Sequence, residues 1–177
     1  MLVKDKKFKL FISQSAINQR IAELSQRLVE DYKGKNPLFI TILNGAFIFA
    51  ADLIRQIDIE SEITFVKFTS YASMESSGKV DQIIGFNDDI FQRHIVLIED
   101  IVDTGLTMSE IMKELKRFRP SSLEVVTLLM KPEALKMPVK VNYVGFEIEN
   151  KFVVGYGLDY DGYGRNLKDI YILDKEG

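Results

Sequence analysis

The residues whose types and spacing best suit chemistry lie in one short stretch of the 177-residue sequence. An apolar run over 95–98 leads into Glu99 and Asp100, and Asp103 completes three carboxylates within five residues. Because carboxylates this close repel one another, the set favours a cation or a hydroxyl-rich ligand beside it. The structural alternative is an acidic turn in which Asp103 or Thr104 caps the following helix.

The loop after these carboxylates has the features of a phosphate site. It runs over Asp103–Thr107, where a helical pattern begins, and the first N–H groups of a helix bind phosphate readily. Thr104 and Thr107 add hydroxyl donors, and Gly105 lets the backbone approach an anion closely. In an open α/β sheet, ligands bind at the carboxyl ends of strands, where this loop is expected to lie.

Two common nucleotide motifs do not fit the sequence. A Walker A loop needs a lysine directly before its serine or threonine, whereas Leu106 precedes Thr107. A dinucleotide fingerprint begins at Gly155 and Gly157, but Tyr160 stands where the third glycine should be. The pattern at 95–107 therefore indicates a sugar phosphate, with its phosphate on the loop and its ribose hydroxyls on the carboxylates.

The elements that position this loop alternate between strands and helices. We expect helices over Ser15–Lys33, Ala46–Ile57 and Thr107–Arg119, and strands over Leu38–Leu43, Ile63–Phe68, His94–Ile98 and Leu123–Met130. This alternation predicts an α/β fold with a mostly parallel central sheet flanked by helices. Three shorter strands, expected to form an edge or cap beside the sheet, are predicted over Tyr143–Ile148, Phe152–Tyr156 and Ile170–Leu173.

Composition limits the class of protein. With 23 Lys+Arg, 26 Asp+Glu and a net charge of −3, a broad nucleic-acid surface is not expected. The chain contains no cysteine and one histidine, which excludes disulfides, thiolate chemistry and a multi-histidine zinc site. Its apolar runs are too short to span a membrane, and the N-terminus lacks a secretory signal pattern. We expect a cytoplasmic protein with one domain over 1–177.

The stretch over 95–108 resembles the phosphoribosyl-pyrophosphate-binding motif of type I phosphoribosyltransferases. It has an apolar strand, two acids, two apolar residues and then Asp-Thr-Gly-x-Thr. Other segments resemble the hypoxanthine-guanine phosphoribosyltransferases: Leu43–Gly45 matches their first pyrophosphate loop, Ser70-Tyr71 their flexible loop, and Phe146–Ile148, Lys151–Tyr160, Arg165 and Leu167 their C-terminal block. The resemblance extends from about Leu38 to Leu173.

This resemblance implies a type I phosphoribosyltransferase fold with a small hood, formed by the chain termini, over the site. It implies purine salvage, in which magnesium phosphoribosyl pyrophosphate and hypoxanthine or guanine give IMP or GMP and pyrophosphate. The implied cofactor is Mg²⁺, and the implied assembly is a homodimer or homotetramer. Two alternatives stay open: a phosphoribosyltransferase for another base, such as xanthine or a pyrimidine, and an RNA-binding regulator that keeps the sugar-phosphate site.

The resemblance also implies roles for the residues around the loop. Asp103 is the expected base, facing the purine N7, and Glu99 and Asp100 are expected to bind the ribose hydroxyls and the metal. The ribose and phosphate are assigned to Glu99, Asp100, Asp103, Thr104, Gly105, Leu106 and Thr107.

The expected purine site draws on a second strand end and on the C-terminal block. Lys131 follows Leu123–Met130 and is expected to donate to the purine 6-oxo group, with a solvated surface lysine as the alternative. Phe152 is expected to stack on the base, with a core phenylalanine as the alternative, and Val153 to contribute backbone groups. Asp159 is assigned to the purine site and is also expected to be a second metal contact near the pyrophosphate, with an ordinary turn aspartate as the alternative.

The pyrophosphate is expected to lie between two further segments. Leu43, Asn44, Gly45 and Arg165 are expected to bind it, and Ser70 and Tyr71 to close over the site. The sequence departs from the resemblance twice. Asn44 stands where many relatives have a lysine or arginine, and Asn150 replaces a common acid.

Overall fold

The computed structural model describes residues 1–69, 81–84 and 90–174. Its helices are α1 (Gln14–Tyr32), α2 (Phe47–Ile54) and α3 (Leu106–Lys116), with a 3₁₀ turn at Pro132–Ala134. Its strands are β1 (Leu2–Val3), β2 (Lys6–Ile12), β3 (Leu38–Leu43), β4 (Glu62–Thr69), β5 (Asp81–Ile84), β6 (His94–Val102), β7 (Ser122–Met130), β8 (Tyr143–Glu147), β9 (Val153–Val154) and β10 (Ile170–Leu173).

The main sheet has the predicted mostly parallel architecture. Its strand order is β5-β4-β3-β6-β7-β8, and every neighbouring pair is parallel except β4 and β5. The chain runs from β3 outward to β4 in one direction and from β6 outward to β7 and β8 in the other. The switch point of the sheet therefore lies between β3 and β6, where open α/β sheets bind their ligands.

Helices cover both faces of this sheet, as predicted, because its central strands are apolar on both sides. On one face, α1 and α2 pack Leu24 and Phe49 against Phe39 and other strand residues. On the opposite face, α3 packs Ile111 against Leu97 and its neighbours. Burial on both sides explains why β3 and the first half of β6 are continuous apolar runs without alternation.

A second sheet forms the hood. It has the order β1-β2-β10-β9, with every neighbouring pair antiparallel, so it joins the N-terminal strands to the last strands. Its small core contains Val3, Phe8 and Val154. The sequence pattern predicted β9 and β10 but missed β1 and β2, because β2 exposes Leu10 and Phe11 and lacks a clear alternation.

Several predicted boundaries were wrong. The strand β6 continues through the two acids to Val102, whereas the prediction ended it at Ile98. The strand β8 forms the parallel edge of the main sheet, which is one of the two placements predicted for it. The strand predicted over Phe152–Tyr156 is limited to β9, because Tyr156 has φ +52° and leaves the extended conformation. No helix among the described residues is long and apolar enough to cross a membrane.

Candidate active site

The carboxyl ends of β6 and β7 bring Asp103 and Lys131 together. Val102 lies opposite Met130 in the parallel register, so the residues that follow them leave the sheet side by side. Lys131 Nζ donates to Asp103 Oδ2 at 2.7 Å. Lys131 is only 6% exposed, so the alternative of a solvated surface lysine is wrong.

Glu99 and Asp100 form a poorly compensated acidic pair at the end of β6. Burial, and then the charge of Asp100, raises the pKa of Glu99 well above its usual value. Burial also raises the pKa of Asp100, although hydrogen bonds from Glu99 and the backbone N–H of Ile101, and the nearby charge of Arg165, oppose this shift. Two acids in this state bind a hydroxyl-rich or cationic ligand favourably, because that ligand replaces their missing partners.

The loop between β6 and α3 is shaped by Gly105. This residue is the N-cap of α3 and has φ +76°, so neither Asp103 nor Thr104 stands at the N-cap position, although Thr104 Oγ1 accepts from the first helical N–H, that of Leu106, at 3.5 Å. A Cβ at Gly105 would lie 2.9 Å from the carbonyl oxygen of Met137, so the chain passes too close for a side chain. A cavity of about 90 Å³ opens at this loop, lined by Glu99, Ile101, Val102, Asp103, Thr104, Gly105, Thr107 and Met108.

The segment Leu43–Gly45 reaches the acidic pair across the switch point. Asn44 is exposed, and the bond from Leu43 to Asn44 is a cis peptide. A Cβ at Gly45 would lie 1.5 Å from Asp100 Oδ2, so only glycine leaves room for this carboxylate. The structure therefore places the first loop predicted for pyrophosphate directly beside the residues predicted for ribose.

Arg165 and Asp159 form an ion pair on the other side of Gly45. Arg165 Nη2 lies 2.6 Å from Asp159 Oδ1, and its Nη1 donates to the carbonyl oxygen of Gly157 at 2.7 Å. A Cβ at Gly157 would lie 2.1 Å from the carbonyl oxygen of Gly45. Asp159 Oδ2 also accepts from the N–H of Gly162, three residues on, which is the contact of an ordinary turn aspartate, so Asp159 has this turn role in addition to its ion pair.

The hood presents an aromatic ring that is not part of the core. Phe152 is 44% exposed, which contradicts the core alternative, and its ring centroid lies 5.7 Å from that of Tyr160. Val153 is buried in β9, and its side chain belongs to the main core together with residues of α1 and α2. Ser70 and Tyr71, predicted to close over the site, lie outside the described residues.

This arrangement can hold a charged sugar phosphate beside a small planar base. Its oxygen donors are carboxylates, which suit Mg²⁺, an ion that keeps several waters and needs few protein ligands. Within 1–69, 81–84 and 90–174, no three His, Cys, Asp or Glu side chains form a ready-made metal cluster. Sequence reasoning missed one pair beside the site, Tyr156 and Asp52, because neither lies in a motif of its own.

Comparison with known proteins supports the same assignment. The phosphoribosyl transferase domain family matches residues 13–161. The hypoxanthine-guanine phosphoribosyltransferase of Aquifex aeolicus is 38% identical, covering 97% of this chain and 98% of that protein. That of Streptococcus thermophilus is 40% identical, covering 99% and 98%.

Solved structures give the same result. A hypoxanthine phosphoribosyltransferase from Staphylococcus aureus is 38% identical and superposes with a TM-score of 0.90, covering 94% of this chain and 91% of that one. The fold, the matched family and the near-complete coverage of both sets of relatives agree. The chain belongs to the hypoxanthine-guanine phosphoribosyltransferases of the type I phosphoribosyltransferase fold.

Proposed function

We propose that this enzyme salvages purines by transferring the phosphoribosyl group of magnesium phosphoribosyl pyrophosphate to hypoxanthine, guanine or both. The choice of a 6-oxopurine as the base rests on the hydrogen bond between Lys131 and Asp103. The N7 and O6 atoms of a 6-oxopurine are neighbours on one edge of the base, as in guanine. An acceptor beside a donor fits this edge when N7 carries a proton, whereas adenine presents an amino donor to Lys131.

In this proposal Asp103 accepts the N7 proton as the bond to the ribose C1 forms. Lys131 has three N–H donors, so it can donate to the 6-oxo oxygen while keeping its bond to Asp103. Phe152 stacks on the purine with its exposed face, and the backbone of Val153 lies near the base edge.

The acids and the loop bind the sugar phosphate. Glu99 and Asp100 accept from the ribose hydroxyls, which offsets the cost of their burial. The 5′-phosphate binds to Asp103–Thr107 at the N-terminus of α3, where N–H groups and the helix dipole favour an anion. This loop provides Thr104, Gly105, Leu106 and Thr107.

The pyrophosphate lies between Leu43–Gly45 and Arg165 in this proposal. Backbone N–H groups of the first loop bind it, which tolerates Asn44, and the guanidinium of Arg165 binds phosphate oxygens. Mg²⁺ would be held by Glu99 and Asp100 on one side and Asp159 on the other, with substrate oxygens and waters completing its shell. When bound, it reduces the negative charge on the leaving pyrophosphate. Ser70 and Tyr71 complete the site by excluding water.

The proposal includes a homodimer or homotetramer, one domain over 1–177 and a cytoplasmic location. The oligomeric state of a relative from Trypanosoma cruzi, 35% identical with a TM-score of 0.89, has been studied through its C-terminal region. In this chain, Phe47 on α2 and Ile63 and Phe65 on β4 are exposed, which provides apolar surface for a second copy. Light scattering coupled to size exclusion gives the number of subunits.

The deciding experiment is a panel of bases with phosphoribosyl pyrophosphate and Mg²⁺, followed by pyrophosphate release. We expect release with hypoxanthine or guanine and little with adenine, orotate or uracil. Preference for xanthine or a pyrimidine would favour the alternative phosphoribosyltransferases. No pyrophosphate release with any base, together with binding of RNA, would favour the RNA-binding regulator.

A further inference from the structure

A partly buried hydrogen bond joins Tyr156, in the segment that ends at Asp159, to α2. Tyr156 Oη donates to Asp52 Oδ2 at 2.6 Å, and Tyr156 is only 3% exposed. Asp52 lies on α2, the helix that begins two residues after Gly45. The bond therefore connects the segment that ends at Asp159 with the helix that extends from the first pyrophosphate loop.

The backbone on both sides of Tyr156 is closely packed. A Cβ at Gly155 would lie 2.1 Å from the carbonyl oxygen of Asp169, and one at Gly157 would lie 2.1 Å from that of Gly45. Tyr156 itself has φ +52°, in the left-handed region that side chains other than glycine seldom adopt. A displaced Tyr156 would consequently move Gly157 against the first pyrophosphate loop.

Two contacts transmit such a movement to the site. The carbonyl oxygen of Gly157 accepts from Arg165, which also pairs with Asp159. Gly45 in turn packs on the carboxylate of Asp100. Gly45 and Arg165, both proposed to lie beside the pyrophosphate, thus each contact this one short segment.

We infer that Tyr156 and Asp52 are positioning residues, which hold the Gly45 loop and the Arg165–Asp159 pair in the geometry that binds phosphoribosyl pyrophosphate. This inference rests on the proposed function. Burial, and then the Asp52 carboxylate, raises the pKa of Tyr156, so its hydroxyl remains a donor throughout an ordinary assay range. Loss of the bond should therefore have the same effect at every assay pH.

The first test is Tyr156→Phe, which removes only the hydroxyl. The KM for phosphoribosyl pyrophosphate and the Mg²⁺ concentration for half-maximal rate should rise about 10- to 100-fold, the range for partners that orient binding groups. The KM for the purine and the saturated kcat should change less than about threefold, because Asp103 and Lys131 are untouched.

Tyr143→Phe is the matched control. Tyr143 donates to Asp31 Oδ2 at 2.7 Å and is also 3% exposed. It lies at the start of the edge strand β8, at the amino ends of the parallel strands, whereas the site lies at their carboxyl ends. The two variants lose the same kind of partly buried tyrosine–aspartate bond, so they should lose similar thermal stability. Only Tyr156→Phe should change the KM for phosphoribosyl pyrophosphate.

Substitutions at Asp52 test the partner. Asp52→Asn keeps an oxygen that can accept from Tyr156 and should remain within about threefold of wild type. Asp52→Leu removes the acceptor and should reproduce the Tyr156→Phe phenotype. The double variant Tyr156→Phe/Asp52→Leu should be no worse than either single variant, because both remove one interaction.

Each remaining outcome overturns the inference. A normal KM for phosphoribosyl pyrophosphate in Tyr156→Phe, or an equal rise in Tyr143→Phe, would show that the bond contributes only stability. If Tyr156→Phe fails to fold while Asp52→Leu folds with normal kinetics, the inference also fails. If the wild-type enzyme is active and the variants have normal kinetics, only this inference is contradicted. If the wild type is inactive with every base, both the proposed function and this inference are contradicted.

Discussion

Replacing Asp103 with asparagine separates proton transfer from binding at this site. The amide keeps the size of the side chain and an oxygen that can accept from Lys131, but it cannot take a proton at neutral pH. If Asp103 is the base, kcat for nucleotide formation should fall about 10²- to 10⁴-fold, the usual contribution of one general base. Binding of the nucleotide product should change much less, because its phosphate is proposed to lie on Thr104–Thr107.

The structure also gives an expected loss of stability. A charged hydrogen bond contributes roughly 1.5–3 kcal/mol net, and Lys131 would remain almost buried beside a neutral amide. The Asp103 side chain is 44% exposed, however, so solvent screens the pair and the lower part of that range applies. We expect Asp103→Asn to lose about 1–2 kcal/mol, or roughly 2–8 °C in Tm for a chain of this size.

Glu62→Gln provides the matched control for this measurement. Glu62 Oε1 lies 2.6 Å from Arg93 Nη2, with Glu62 exposed and Arg93 largely covered, at the amino ends of the strands. This variant should lose comparable or less stability and keep full turnover. Steady-state kinetics with the preferred base, product titration and thermal unfolding complete the set. Turnover of Asp103→Asn within threefold of wild type would falsify the base assignment, and a parallel collapse of product binding would show that Asp103 organises the loop instead.

Three further variants test other parts of the site. Lys131→Ala should lower purine kcat/KM about 10- to 150-fold while binding of phosphoribosyl pyrophosphate changes little, and equal losses for both substrates in steady-state kinetics would contradict this role. Glu99→Gln should stabilise the ligand-free protein by roughly 1–4 kcal/mol at pH 7. Because the pKa of Glu99 is raised in the folded state, the wild type has its full stability below the unfolded-state pKa of Glu99 and loses stability as the pH rises. The stability advantage of Glu99→Gln over the wild type should therefore vanish towards about pH 4 in thermal unfolding scans. Gly45→Ala should fold, because the Asp100 carboxylate can rotate away, but should weaken nucleotide binding by about 1–3 kcal/mol in a titration, and unchanged affinity would contradict the packing argument.

The sequence predicted the central architecture because local patterns determine it. Buried strands such as β3 read as apolar runs with at most one polar residue, Thr41 in β3, and the helices between them show one apolar face, so the βαβ order followed directly. That order also predicted which strand ends would meet. The proximity of Asp103 and Lys131 was implicit in it, although their direct bond was not predicted.

The hood could not be predicted to the same extent because its stability depends on distant segments. The strand β2 pairs with β10, more than 150 residues away, and its exposed Leu10 and Phe11 hide the alternation of a half-buried strand. The roles of Gly45 and Gly157 were equally hidden. Each glycine is required by an atom from another part of the chain, and sequence spacing does not reveal such contacts.

The two halves of the site differ in how their charges are balanced. In the half proposed for the purine, the Lys131 ammonium already compensates Asp103, so an uncharged base can enter without leaving a buried ion unpaired. In the half proposed for ribose and metal, Glu99 and Asp100 compensate each other poorly, and their raised pKa values record that cost. A ligand that brings hydroxyl donors and a divalent cation relieves this cost when it binds, which couples its affinity to the stability of the fold. In the proposed function, the acids that weaken the empty protein are thus the same groups that bind the sugar phosphate, so a substitution that stabilises this pair should weaken binding.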